Sequence, residues 1–156
     1  MLSTRPATVA DVPLLRNLIQ ELADYEREPA AVLLTEDDLR RDGFGPHPKF
    51  RAIFGELDAK PAGYAVVFPS YSTWTGLQLF LEDLFVREPF RGHGVGKALL
   101  REVAKIAQKE NFHSIRLDVL DWNESAIHFY KSLGADYLPQ WRNVILGSEA
   151  LRRLAS

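Results

Sequence analysis

Arg91-Gly92-His93-Gly94-Val95-Gly96-Lys97 stands between an apolar run at 77–87 and the strongest helical pattern of the chain, 95–111. That pattern puts Val95, Leu99, Val103 and Ile106 on one stripe and Lys97, Arg101, Lys105, Gln108 and Lys109 on the other face. Glycines at such a junction let the backbone adopt positive φ and come close to a ligand. Free N–H groups at the helix start, with the helix dipole, make an anion site, and Arg91 adds a planar donor fork suited to phosphate oxygens. A pyrophosphate is the natural guest; the alternative is a glycine turn without a ligand. Two other phosphate loops fail on spacing. Only three residues separate Gly92 from Gly96, and Ala98 stands where a P-loop needs Ser or Thr. The strict alternation of Gly92, Gly94 and Gly96 also departs from the dinucleotide fingerprint Gly-x-Gly-x-x-Gly.

Working outward, 2–7 reads as a first strand, and Thr8 with Asp11 forms a capping box ahead of a helix whose stripe is Val12, Leu15, Ile19 and Leu22. That helix runs to about Tyr25. A second box, Thr35 with Asp38, starts a short helix that Gly43 and Gly45 stop. Strands are expected at 50–57 and 62–68, joined by a turn at 58–61, and again at 77–87, 115–120 and 142–146. A helix over 123–133 ends at Gly134. Strands interleaved with helices give an α/β or α+β sheet domain, and 156 residues suit a single domain spanning 1–156.

Composition narrows the function classes. Lys and Arg total 19 against 21 Asp and Glu, for a net charge of −2. That leaves no basic footprint for nucleic acid. With no cysteine there is no disulfide, thiol nucleophile or thiolate metal site. The histidines, His47, His93, His113 and His128, lack metal-ligand spacing. No stretch has the length and apolarity of a membrane span, and the start of the chain lacks a secretory apolar core, so a cytoplasmic protein is expected.

Arg-x-x-Gly-x-Gly ahead of a long helix resembles the acyl-CoA pyrophosphate loop of the GNAT superfamily of N-acetyltransferases. Trp122-Asn123-Glu124, Phe129-Tyr130 and Leu133-Gly134-Ala135 resemble that superfamily's second conserved block. Arg5-Pro6-Ala7-Thr8, Tyr25-Glu26, the segment from Asp42 to Gly45, His47-Pro48, Trp74 and Leu81-Glu82-Asp83 are similar to the spermidine/spermine (diamine) branch. The likeness runs over 5–141. It implies a mixed, mostly antiparallel central sheet flanked by helices on both faces, with acyl-CoA in a splayed-strand cleft. It also implies acetyl-CoA as co-substrate, a small amine as acceptor and a homodimer.

The chemistry assigns work to particular residues. An alkyl amine with pKa about 10.4 is neutral in roughly one molecule per thousand at pH 7, and a carboxylate can hold the cation and receive its proton, directly or through water. Glu82 and Asp83 lie in the strand upstream of the loop; strict alternation would point them to opposite faces, with at most one in the cleft. The resemblance makes Glu82 the substrate-side residue. It gives Leu84, Phe85 and Val86 the main chain that pairs with pantetheine and donates to the thioester oxygen, while their side chains read as core. Tyr130 is the general-acid candidate, either protonating the thiolate or only hydrogen-bonding to it; a packing tyrosine is the other reading. Cofactor contacts are expected from Arg91, Gly92, His93, Gly94, Val95, Gly96, Lys97, Asn123, Ala126, Tyr130 and Lys131, although Lys131 reads equally as a solvated lysine. Tyr25, Glu26, Trp74 and Glu82 match the amine site, where aromatic walls and carboxylates suit an alkylammonium.

Three departures from the branch matter. Ser72 stands where an acidic residue is expected, Ala126 replaces a Ser, and the stretch before Trp141-Arg142 is short and lacks an expected Glu. Fewer carboxylates favour a small amine, a diamine or a lysine-like amino acid over a long polycation. The expected activity is direct transfer of acetyl from acetyl-CoA to a primary amine in a ternary complex. Acetylation of protein lysines or amino termini, or acyl-CoA binding without turnover, are the alternatives.

Overall fold

The computed structural model describes residues 1–156 and divides them into two compact units, Met1–Asp118 and Val119–Ser156. In the first unit, period-two alternation decides the layering. Arg51–Leu57 (β2) sends Ile53 to one face of the sheet and Ala52 and Phe54 to the other. Lys60–Ser72 (β3) splits Ala65 and Val67 from Tyr64 and Val66 in the same way. Leu2–Pro6 (β1), Gly76–Val86 (β4) and Ser114–Arg116 (β5) complete a sheet in the order β1-β2-β3-β4-β5. All pairs are antiparallel except β4 with β5, which is parallel.

Helices cover both faces, as expected. Val95–Lys109 (α3) lays Val95, Leu99, Val103 and Ala107 on Ile53, Ala65, Val67, Leu79 and Leu81. Val12–Tyr25 (α1) buries Leu15 and Leu18 against Ala52, Phe54, Tyr64, Val66 and Phe85. Each fully buried aliphatic side chain contributes roughly 1.5–3 kcal/mol. Both capping boxes form. Thr8 donates to Asp11 through its backbone N–H at 2.7 Å and its hydroxyl at 2.8 Å. At the start of Glu36–Phe44 (α2), Thr35 Oγ1 accepts from the Asp38 N–H at 3.2 Å while the Thr35 N–H donates to Asp38. Asp11 also receives both Nη groups of Arg5, whose Nε donates to Glu56 at 2.8 Å.

Several boundaries differ from the sequence reading. The turn into β3 is tighter than 58–61: Asp58 and Ala59 alone take positive φ, and Pro61 sits within the strand opposite Glu56. β3 runs on to Ser72, making a long hairpin with β4. The strand expected at 115–120 is only Ser114–Arg116, because its pairing with β4 stops at Phe80↔Arg116. A strand persists only where a neighbour takes its backbone hydrogen bonds.

The second unit contains Glu124–Ser132 (α4) and Ser148–Ala155 (α5). The strand expected at 142–146 is irregular, with Val144 80% and Ile145 84% exposed. Its apolar alternation finds no partner strand. α5 was not foreseen; it buries no residue, and its Ala, Leu, Glu and Arg content supplies helix propensity without packing. No helix in the chain is long and apolar enough to cross a membrane.

Candidate active site

The glycine loop leaves β4 and caps α3. Gly92 and Gly94 have φ of 79° and 80°, a region that side chains with a Cβ rarely enter. Gly94 is the N-cap, and the first helical bond runs from the Ala98 N–H to the Gly94 carbonyl at 2.9 Å. The amides of Val95, Gly96 and Lys97 therefore open the helix without an intrahelical acceptor. A Cβ built on Gly92 would meet nothing within 4 Å, and one on Gly94 only Leu2 Cδ2 at 3.8 Å. The cradle is open and fits a phosphate group. Arg91 Nε donates to the Val86 carbonyl at 3.0 Å, and its guanidinium carbon lies 4.7 Å over the Tyr25 ring. His93 Nδ1 lies 2.9 Å from the Arg91 carbonyl, so this ring is held by its own loop.

Upstream, the β3–β4 ladder shifts register: Val66 pairs with Asp83 but Val67 pairs with Leu81, leaving Glu82 as the extra residue of a β-bulge. The strict alternation read from sequence is interrupted here. Leu81 and Leu84 both lie opposite α3-side residues of β3, whereas Asp83 and Phe85 lie opposite Val66 and Tyr64. Tyr64 donates its phenol hydrogen to Asp83 Oδ2 at 3.0 Å. Beyond Phe80, residues 81–86 are paired on the β3 side only, so the other edge of β4 carries backbone groups with no strand beside them.

Carboxylates collect around the bulge. Burial, and then the charge of Asp118, push the Glu82 carboxyl above the usual carboxylate range. Burial and then Glu82 raise Glu26 likewise. Burial carries Asp83 to about 6 against the opposing Tyr64 hydrogen bond, with Glu82 and Glu26 adding to the rise. Tyr64 is driven far above an ordinary phenol by burial and by Asp83. Glu82 thus feels Asp118, Glu26 feels Glu82, and Asp83 feels both Glu82 and Glu26, a chain of carboxylates that favours a cation.

Of the expected amine-site residues, Glu26 and Glu82 are close enough for their charges to interact, and Tyr25 precedes Glu26 at the end of α1. Tyr25 leans on Phe85 at 6.4 Å between ring centroids. Trp74 stays apart. It sits in the β3–β4 turn, 85% exposed, and at about 3.3 Å per residue the strand between Gly76 and Glu82 is about 20 Å long. Sequence reading missed Asp118, which nothing in its local pattern marks, and Tyr64, which reads as a core residue. It also missed the ion pair of Arg87 with Glu21, which braces the end of β4 against α1 with an Nε–Oε2 distance of 2.8 Å.

In the second unit, Asn123 Oδ1 accepts from the Ala126 N–H at 3.2 Å and caps α4. Lys131 Nζ lies 5.3 Å over the Tyr137 ring, and Tyr137 donates to the Ile127 carbonyl at 2.9 Å. Tyr130 packs on Phe129 at 5.3 Å; burial, and then Tyr137, push its phenol up to about 12.

Residues 14–135 match the model of the acetyltransferase (GNAT) family. The chain belongs to the GNAT acetyltransferase family. It is 37% identical to a thialysine N-epsilon-acetyltransferase of Sus scrofa over 97% of this chain and 95% of that one. It is 36% identical to a human spermidine/spermine N(1)-acetyltransferase-like protein 1, over 84% of this chain and 20% of that longer protein. Among solved structures, an integron cassette protein from the mobile metagenome of V. cholerae superposes with a TM-score of 0.81 at 24% identity, over 99% of this chain and 97% of that one. This GNAT protein is therefore an acetyltransferase enzyme, and acetyl-CoA is the co-substrate that its family implies.

Proposed function

We propose that this GNAT enzyme moves the acetyl group of acetyl-CoA directly to a primary amine of a small amine, a diamine or polyamine, or a lysine-like amino acid. The observation that carries the reading is the carboxylate cluster at the β4 bulge, lying in the strand that leads to an open phosphate cradle. The named relatives, a thialysine N-epsilon-acetyltransferase and a spermidine/spermine N(1)-acetyltransferase-like protein, support the same substrate class.

Glu82 and Glu26 hold the ammonium, and Glu82 takes its proton. The freed nitrogen attacks the thioester carbonyl and forms the C–N bond; as the C–S bond breaks, the nitrogen gives up its second proton and the thiolate takes up a proton to leave as coenzyme A. Backbone groups of Leu84, Phe85 and Val86, on the edge of β4 that lacks a strand, align pantetheine and donate to the carbonyl oxygen. Arg91 and the amides of Gly92, His93, Gly94, Val95, Gly96 and Lys97 take the diphosphate. Asn123, Ala126 and Lys131 are further cofactor contacts by resemblance, whereas Trp74, out in the β3–β4 turn, is left out of the amine site. Tyr130 serves the departing sulfur. Burial, and then Tyr137, hold its phenol at about 12, which supports a hydrogen bond to the thiolate over full proton transfer.

A homodimer is supported by the exposed apolar run containing Trp141, Val144, Ile145 and Leu146; light scattering at twice 17.7 kDa tests it. A cysteine-free chain suits the cytoplasm. The decisive experiment is thiol release from acetyl-CoA over a panel of monoamines, diamines, polyamines and lysine analogues, with lysine peptides as the contrast. Release with the small amines supports the reading, and release with the peptides alone overturns it.

A further inference from the structure

Arg91 uses two parts of one planar group. Its Nε is tied to the Val86 carbonyl at 3.0 Å, and its central carbon lies over the Tyr25 ring, 4.7 Å from the ring centre. Its Nη nitrogens make no hydrogen bond within the chain, so the outer edge of the fork is open to phosphate oxygens. Tyr25 is in turn supported from behind. Its ring leans on Phe85, 7% exposed, at 6.4 Å and 49°, and Phe85 meets Tyr64 edge-on at 6.3 Å. Tyr64 is fixed by its hydrogen bond to Asp83. A continuous series of contacts thus runs from the bulge in β4, through the end of α1, to the guanidinium of the glycine loop.

An exposed arginine on a glycine loop loses much rotamer freedom when it captures a phosphate. A ring beneath its face removes part of that loss in advance. We infer that Tyr25, sixty-six positions before Arg91 and matched to the amine site by resemblance, is a positioning residue for the cofactor: it holds Arg91 flat with its outer edge presented to the diphosphate. This rests on the proposed acetyl-CoA reading and extends it, because it gives one residue of α1 a part in binding both substrates.

Calorimetric titration of the full chain with free coenzyme A tests the inference in the absence of any amine. Tyr25→Leu weakens coenzyme A binding by roughly two- to fivefold, the size of a cation–π contact at an exposed site. Tyr25→Phe keeps the ring and binds as the wild type does, which separates the ring's role from that of the hydroxyl and from damage to the fold. In the Arg91→Ala background Tyr25→Leu causes no further loss, since the partner is gone. Unchanged affinity in Tyr25→Leu, or the same loss with and without Arg91, overturns the inference and leaves the acetyltransferase reading intact. No binding of coenzyme A to the wild type overturns both.

Discussion

Tyr64, in β3, donates a 3.0 Å hydrogen bond to Asp83, the β4 residue that follows the bulged Glu82. The bond ties the sheet interior to the carboxylate cluster, yet it does not offset the burial that lifts Asp83 to about 6. A carboxyl raised in the folded state keeps its proton longer there than in the unfolded chain, where its pKa is about 3.9. Its contribution to stability is fully present below about pH 4 and is lost as pH rises through 6. Asp83→Asn keeps a hydrogen-bond acceptor and removes the charge. Urea denaturation should find it more stable than wild type at pH 8 by on the order of 2 kcal/mol, with the gain gone at pH 4. The same difference at both pH values would contradict the assignment.

Asp11 has the opposite sign. Arg5, and then the Thr8 hydrogen bonds, hold its carboxyl well below the usual range. Stability from this group is present above about pH 4 and lost as pH falls. Asp11→Asn should lower stability at pH 7 by about 1–3 kcal/mol and by much less at pH 2, read from the same denaturation curves.

Glu82→Gln removes the proton acceptor. At pH 6 to 7, where nearly all the amine is protonated, kcat/KM should fall by roughly 100-fold. Near pH 10, where free amine is abundant, the deficit should shrink to a few-fold. A loss of constant size across the pH range would assign Glu82 a structural part only.

Tyr130→Phe leaves the ring and deletes the hydrogen bond proposed for the departing sulfur. We expect kcat to drop about 10- to 100-fold with coenzyme A affinity within about twofold of wild type. Equal turnover would remove Tyr130 from the reaction.

Gly92→Ala meets no atom within 4 Å, so its effect is conformational alone. Holding φ near 79° with a Cβ costs about 1 kcal/mol, and relaxing it turns the loop's amides away from the phosphate. Calorimetry should show weaker coenzyme A binding by fivefold or more, with the thermal transition shifted by only a few degrees.

The chemistry written in short range was legible in the chain. Gly92 and Gly94 ahead of the α3 stripe, both capping boxes, and the alternation of β2 depend on residues a few positions apart, and local sterics enforce them. Tertiary structure decided what depends on a partner far along the chain. The bulge at Glu82 belongs to the pairing of β4 with β3, where the register shifts between Val66 and Val67, and no residue in Leu81-Glu82-Asp83 announces it. Asp118 joins the carboxylates, and Tyr25 lies under Arg91, because the sheet brings α1, β4 and the end of β5 side by side. For the same reason the apolar alternation at 142–146 forms no strand: periodicity proposes one, but only a neighbouring backbone can complete its hydrogen bonds.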